Sequence, residues 1–298
     1  MKPLPSGLQD HLDSGATTLC WCWRIMRKDG VVLGFTDHDC DVEFDGVLHE
    51  AQTGFTGSEV QTQLGLAPDN AEVSGALRSD RISETDLLLG RYDGATVDLY
   101  RVNWVEPSQH VRLRRMLFGE VRHGKHAFTA ELRGLSARLS EVKGRLFQHG
   151  CSAMLGDARC GVNLSSSAYR ATGTLEAVHS ATRFEINYSG SYDDNFFAHG
   201  RLEFISGALD RLSYDIKDNV KTSGGATVSL WIGPEVLPEP GDDVRLYAGC
   251  DKSFDTCRSK FSNGLNYQGF PHIPGNDFVF RFPRQDEAAN DGGSLFNE

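Results

Sequence analysis

The sequence predicts a mainly β protein whose first strands open an antiparallel barrel or sandwich. Its 32 glycines and 10 prolines, together with abundant Thr, Val, Tyr and Phe, favour short strands joined by many turns. Residues 17–26 (TTLCWCWRIM) place apolar side chains at every second position, which is the period of a β-strand. The dipeptides Asp29-Gly30 and Asp45-Gly46 then mark two hairpin turns.

Three segments are predicted to be helical instead. Residues 1–15 form one short helix, and residues 136–143 form another. Between them, residues 83–90 (SETDLLLG) begin with Ser83 as the N-cap and carry Asp86 at the third helical position, which is close to a capping box.

The remaining strands are read from alternating or β-branched runs bounded by turn residues. They are predicted at residues 31–36, 41–44, 47–49, 95–104, 113–121, 127–132, 169–178, 183–187, 200–206, 210–217, 226–230 and 244–247. The sequence divides into an N-terminal region (1–148), a C-terminal domain (149–283) and a polar tail (284–298) that we expect to be extended or mobile.

Composition and charge argue against a nucleic-acid-binding protein and against a membrane-spanning protein. The net charge is -11 and the one basic run is the short RLRRM at residues 112–116, which argues against binding nucleic acid through its phosphates. No apolar run approaches the roughly 20 residues of a membrane span, and residues 1–15 lack the apolar core of a signal peptide. We therefore expect synthesis in the cytoplasm, where seven cysteines indicate metal ligands or buried thiols before disulfides.

Four cysteines form two pairs that are far apart in the sequence. Cys250 and Cys257 lie in residues 249–277, a segment rich in Gly, Pro and Asn that also carries aromatic side chains suited to burial. Such an irregular segment needs an anchor to offset its ordering entropy. Cys151 and Cys160 provide the matching pair, so the sequence predicts one four-sulfur site that joins two distant parts of the chain.

Spacing does not identify the metal. The pairs are C-x8-C and C-x6-C, which differ from the short knuckles of zinc sites and from the C-x2-C-x2-C run of bacterial ferredoxins. Zinc, an iron–sulfur cluster and four unrelated buried thiols all remain open. Three of the four cysteines have a glycine neighbour, which we interpret as allowing backbone N–H groups to approach the sulfurs.

The other potentially reactive residues are interpreted as packing or turn residues. Cys20, Cys22 and Cys40 would meet if the first hairpin folds back, but small packing roles are favoured because free cysteine is commonly buried. The TDHD run at residues 36–39 resembles part of a metal site, yet adjacent strand residues point to opposite faces, so a turn is favoured. The sequence contains no G-x-S-x-G elbow, P-loop or dinucleotide fingerprint, and no catalytic residue is assigned.

The run CDKSFDTCRSKFSNGLNYQGFPHIPGND at residues 250–277 resembles the C-terminal end of phage tail-tip proteins. This family includes the lambda-type minor tail protein L and the baseplate hub protein of gene transfer agents. Residues 35–39 (FTDHD), 83–104 and 150–162 resemble the same hub proteins. The resemblance extends from about residue 15 to residue 280.

That resemblance implies a structural protein rather than an enzyme. It implies N-terminal β-barrel hub domains and a β-rich C-terminal domain with irregular loops, in which Cys151, Cys160, Cys250 and Cys257 bind a [4Fe–4S] cluster. It further implies a homotrimeric ring at the tail tip of a phage-like particle, assembled in the bacterial cytoplasm. The ring would lie between the distal tail protein ring and a central tip or fibre protein, with DNA as transient cargo.

Three alternatives accompany this interpretation. A zinc-stapled binding module would use the same four cysteines without iron. A cluster-dependent redox protein would need an open iron or an electron partner. A cell-wall hydrolase would need a credible Cys/His or Ser/His pairing, and the sequence indicates none.

Overall fold

The computed structural model describes residues 4–51, 56–57, 70–76, 82–123, 127–139 and 143–273. The chain forms two compact units. The first contains Met1–Lys143, Ser206–Arg211 and Gly233–Pro238, and the second contains Gly144–Ile205, Leu212–Ile232 and Glu239–Glu298. The tail predicted at residues 284–298 lies outside the described residues.

The first unit is built on a nine-stranded sheet. Its helices are α1 (Ser6–Asp13) and α2 (Glu84–Leu88), with a 3-10 helix at Leu135–Leu139. Its strands are β1 (Leu19–Met26), β2 (Val32–Thr36), β3 (Val42–Phe44), β4 (Val47–Glu50), β5 (Thr56–Gly57), β6 (Asn70–Ala76), β7 (Thr96–Asn103), β8 (His110–His123) and β9 (Ala127–Gly134). Their order across the sheet is β3-β4-β2-β1-β7-β8-β9-β6-β5.

Strand β1 confirms the period of two that its sequence predicts, but both of its faces are covered. Trp23 and Ile25 belong to one buried cluster, whereas Cys20 and Cys22 belong to a second cluster with Phe44. This central strand therefore separates two packed layers, which explains why neither of its faces is polar throughout.

The antiparallel arrangement predicted for the first strands is interrupted between β2 and β4, which pair in parallel. Gly34 makes this possible, because a Cβ atom there would lie 2.4 Å from the carbonyl oxygen of Leu48. The adjacent His49 is fully buried and stacks on Phe44, with the ring centroids 4.2 Å apart. Its Nδ1 lies 3.2 Å from the Val42 carbonyl oxygen, and its Nε2 has no hydrogen-bond partner among the described residues.

The predicted helices have different outcomes. Helix α2 is confirmed with its cap, since the Ser83 hydroxyl accepts a 3.0 Å hydrogen bond from the Asp86 N–H. The helix predicted at residues 136–143 is instead the 3-10 helix, and residues 140–142 lie outside the described part. Residues 124–126, between the strands predicted at residues 113–121 and 127–132, also lie outside the described residues.

The second unit contains a closed six-stranded antiparallel barrel. Its strands are β10 (Arg170–Ser180), β11 (Arg183–Tyr188), β12 (Arg201–Phe204), β13 (Ser213–Lys221), β14 (Gly225–Leu230) and β15 (Asp243–Tyr247), in the order β10-β11-β14-β13-β12-β15. Side chains fully buried on these strands include Phe184, Ile186, Leu202, Phe204, Ile216, Val228 and Val244. The predicted mainly β class is therefore confirmed, with the closed barrel at residues 170–247.

The barrel closes by pairing its first and last strands. In the β10–β15 ladder, Arg170 lies opposite Tyr247, and the Ala248 N–H donates to the Tyr169 carbonyl 2.8 Å away. Because the two strands are antiparallel, the segment before β10 and the segment after β15 leave the barrel side by side.

We expect His49 to make the first unit sensitive to acid. Burial, aided by the charge of Arg24, lowers the pKa of His49 to about 4 from 6.5. The stabilisation from a neutral His49 is present above about pH 6.5 and is lost as pH falls toward 4. Between pH 7 and pH 5, wild-type protein should lose about 1–2 kcal/mol more unfolding free energy than His49→Phe, measured by urea titration. Parallel pH dependences for the two proteins would contradict this assignment.

Candidate metal centre

Two loops that flank the barrel in sequence meet at one end of it. The first loop precedes β10 and carries Cys151 and Cys160, and the second follows β15 and carries Cys250 and Cys257. The Cys151 N–H donates to the carbonyl oxygen of Lys252 at 2.9 Å. This hydrogen bond joins the two loops. Because β10 pairs with β15, the two predicted cysteine pairs lie at the same end of the barrel.

All four cysteines line a single cavity. Cys160 and Cys257 are buried, with 8% and 7% of their surface exposed, whereas Cys151 and Cys250 are partly buried. The other residues that line the cavity are Ala153, Leu155, Val162, Lys252, Phe261, Asn263 and Asn266. The cavity therefore combines four free sulfurs with a mostly apolar wall and a few polar groups.

Asp157 organises the first loop. Its Oδ1 accepts hydrogen bonds from the N–H groups of Cys160 (2.7 Å) and Arg159 (3.0 Å), and its Oδ2 accepts one from the Met154 N–H (3.0 Å). These bonds, the one from Cys160 foremost, lower the pKa of the Asp157 carboxyl. Sequence reasoning missed this residue, although a Gly-Asp pair between two cysteines is a signal for a tight turn.

In the second loop, Lys252 turns the backbone under Cys250. Its φ of 65° is left-handed, and its ammonium group donates a 2.7 Å hydrogen bond to the Ala153 carbonyl oxygen. Burial raises the pKa of the Cys250 thiol, and the neighbouring Lys252 partly offsets the rise. A positive potential near the sulfur favours the thiolate, which is the form that binds metal.

A short helix presents the fourth sulfur. Helix α3 (Phe254–Ser259) begins after Ser253, whose hydroxyl accepts a 3.1 Å hydrogen bond from the Thr256 N–H. Cys257 lies on its buried side, where burial and then the negative charges of the other three cysteines raise its pKa. Four sulfurs that repel one another as thiolates form a site that a cationic centre would stabilise.

Gly249, beside Cys250, is required for close backbone packing. An added Cβ atom there would lie 1.6 Å from the Ala198 carbonyl oxygen. The Lys260 ammonium group supports this close approach by donating to the Gly249 carbonyl (2.8 Å) and to the carbonyl of Phe196. The interpretation that the glycine neighbours let backbone N–H groups approach the sulfurs stays a prediction.

One trio of potential metal-ligand atoms lies outside this cavity among the described residues, and its atoms are within 4.8 Å of one another.

That close trio consists of His38, Asp39 and Cys40. The His38 Nδ1 already accepts a hydrogen bond from the Cys40 N–H at 3.0 Å, and Asp39 and Cys40 are exposed. Asp37 bonds the Trp21 N–H at 2.7 Å instead of joining the group. The local geometry is that of the turn that the sequence predicts.

Two of the remaining cysteines are packing residues, as predicted. Cys20 and Cys22 are buried on one face of β1, with their sulfurs 3.9 Å apart. Cys40 is exposed, and it lies outside their buried cluster.

Comparison with known proteins bears on the whole chain. Residues 5–163, more than half of the 298 residues, match the model of a family described as "Baseplate hub protein, N-terminal attachment domain". The chain belongs to the baseplate hub protein family. Residues 195–277 of this hub protein also match the family of the phage conserved hypothetical protein BR0599, a match that includes Cys250 and Cys257.

A solved structure resembles the hub protein along its full length. It is a chain from the virion of a native gene transfer agent particle, with 43% sequence identity and a TM-score of 0.89. The alignment covers 98% of this chain and 100% of that chain, so the resemblance read from the sequence is confirmed. No curated protein sequence matches the chain. In the part of the chain that the structure describes, no helix has the length and apolar character of a membrane span.

We expect alanine to destabilise the protein at Gly249 and to have little effect at Gly150. Gly249→Ala should lower the unfolding free energy by about 1–3 kcal/mol or more, because backbone must move to admit the methyl group. Gly150→Ala is the matched control, since its added Cβ atom would meet nothing closer than 3.8 Å. Thermal unfolding followed by circular dichroism measures both, and equal losses of stability would contradict the close approach at Gly249.

Proposed function

We propose that this chain is a structural hub of a phage-like or gene transfer agent tail. The observation that carries the proposal is the 43% identity, over 98% of the chain, to a component of a gene transfer agent virion. Sequence identity at that level along both units supports the same position in a gene transfer agent particle for this chain. The family of its N-terminal part, the baseplate hub attachment domain, supports a position at the tail tip.

Within that role we propose a three-fold ring that joins the distal tail protein to a central tip or fibre protein. This arrangement comes from the resemblance to tail-tip hubs. The net charge of -11 suits a protein past which DNA slides as transient cargo, because like charge prevents tight binding of the phosphates.

We propose further that Cys151, Cys160, Cys250 and Cys257 hold a [4Fe–4S] cluster. The donor set fits, because four free sulfurs converge on one partly apolar cavity, and the resemblance to tail-tip hubs favours the cluster over a single zinc ion. When bound, the cluster supplies a covalent crosslink between the two loops. With one cysteine for each iron, no coordination position remains for a substrate, which favours a structural role over catalysis.

The cluster would stabilise the loops chiefly by restricting the chain. About 90 residues separate Cys160 from Cys250, and closing a loop of that length in the unfolded chain costs several kcal/mol. A crosslink present in both states would remove much of that cost. The regular structure of the second loop is limited to a short helix and a 3-10 turn. A metal centre would therefore add stability to loops that little secondary structure stabilises.

Metal analysis tests the cluster directly. Protein purified without oxygen should contain about four irons and four sulfides per chain and be brown. Cys257→Ser should lose the colour and most of the iron, whereas Cys40→Ser, which alters an exposed cysteine outside the cavity, should keep both. One zinc per chain without colour would replace the cluster with a zinc staple, and equal iron loss in both variants would contradict the assigned ligands.

Labelling of intact particles tests the hub position. The chain, carrying a surface tag, is expressed in a producing cell whose own hub gene is deleted. Gold-labelled antibody should bind at the tail end distal to the head, and particles without the chain should lack a tail tip in electron micrographs. Label on the head, or complete tails in the deletion strain, would contradict the proposal.

A further inference from the structure

The side chain of Asn263 connects the two cysteine loops. Its Nδ2 donates a 2.6 Å hydrogen bond to the Cys160 carbonyl oxygen and also lies 3.7 Å from the Cys160 sulfur, within the range of an N–H···S hydrogen bond. Its backbone N–H donates to the Cys257 carbonyl at 2.9 Å. One residue therefore touches a cysteine from each pair.

The direction of the Asn263 amide is fixed from its other end. Asn266 Nδ2 donates a 2.7 Å hydrogen bond to Asn263 Oδ1. An asparagine amide has one accepting and one donating end, so this bond turns the N–H₂ group toward Cys160. The opposite orientation would set two oxygens against each other at the Cys160 carbonyl. Two independent contacts thus agree on the orientation.

Asn266 is itself held in place by the backbone. It ends the 3-10 helix Gly264–Asn266, and its N–H donates to the Asn263 carbonyl at 3.0 Å. Its Nδ2 lies above Gly161, where an added Cβ atom would approach within 3.6 Å. The Asn-x-x-Asn spacing of the C-terminal motif places both amides along one turn beside Cys160.

We propose that Asn263 is a positioning residue that donates an N–H···S hydrogen bond to the ligating sulfur of Cys160, and that Asn266 sets the direction of this donor. Reduction of a cluster adds negative charge that is shared with its sulfurs. A donor aimed at a sulfur stabilises the reduced form more than the oxidised form and so raises the reduction potential. It also holds the ligand in place and slows loss of the metal. This inference rests on the proposed cluster.

The reduction potential distinguishes this role from a purely mechanical one. A hydrogen bond that only ties two loops together affects stability and leaves the potential unchanged. A bond to the sulfur shifts the potential with a defined sign. Asn163 offers the matched comparison, because its Oδ1 accepts from the Ser165 N–H at 2.9 Å and its side chain does not line the cavity.

The experiment compares Asn263→Leu, Asn266→Leu, the double variant and Asn163→Ala with wild type, all purified without oxygen. Iron and sulfide content, midpoint potential by redox titration and the rate of bleaching by a chelator are measured for each. Asn263→Leu should lower the midpoint potential and speed cluster loss about 10-fold. Asn266→Leu should shift both in the same direction by less. The double variant should match Asn263→Leu, because Asn266 acts through Asn263. Asn163→Ala should match wild type.

Different failures have different meanings. A wild-type protein without iron overturns both the proposed cluster and this inference. A wild-type protein with iron, and variants whose potential does not move, overturns the inference alone. If Asn263→Leu does not fold, Asn266→Leu carries the test, since it leaves Asn263 and every cysteine in place. An equal shift in Asn163→Ala would show a general effect of the loop and would also overturn the inference.

Discussion

The pairing of β10 with β15 is the constraint on which the candidate site depends. Arg170 lies opposite Tyr247 at the end of this ladder, so the loops before β10 and after β15 start from adjacent points. The entropy of bringing together cysteines about 90 residues apart is offset by the folding of the barrel. The hydrogen bond from the Cys151 N–H to the Lys252 carbonyl joins the two loops directly beyond the end of this ladder.

Burial disfavours the thiolate form of the cysteines that line the cavity. Burial raises the pKa values of Cys250 and Cys257, and mutual repulsion adds to the rise for Cys257. The Cys257 thiol donates to the Asn263 carbonyl oxygen at 3.3 Å, a bond that only the protonated form makes. Binding of the proposed metal centre would therefore release protons and break this contact, while the Asn263 amide would stay beside the Cys160 sulfur.

Local signals predicted much of this architecture, and pairing between distant residues explains most of what they missed. Alternation predicted β1, and the cap at Ser83 predicted α2, because both depend on neighbours in sequence. The parallel pairing of β2 with β4 depends on the close approach of Gly34 to the backbone of Leu48, which the sequence pattern does not predict. The four cysteines could be grouped from the sequence, but Asn263 acts on Cys160, 103 residues away, and its role becomes visible only in the fold. Apolar character alone also does not determine burial in this segment, since Leu265 is fully exposed on the 3-10 turn.

Closure of the barrel by its first and last strands also dictates the order of events during synthesis. At translation rates of roughly 5–20 residues per second, Cys151 and Cys160 leave the ribosome several seconds before Cys250. During that interval their thiols have no partners and are open to oxidants. Strand pairing over so long a separation is also slow. The ligand set proposed for the cluster would therefore be complete only after β15 has paired with β10, so loading would follow the folding of the barrel.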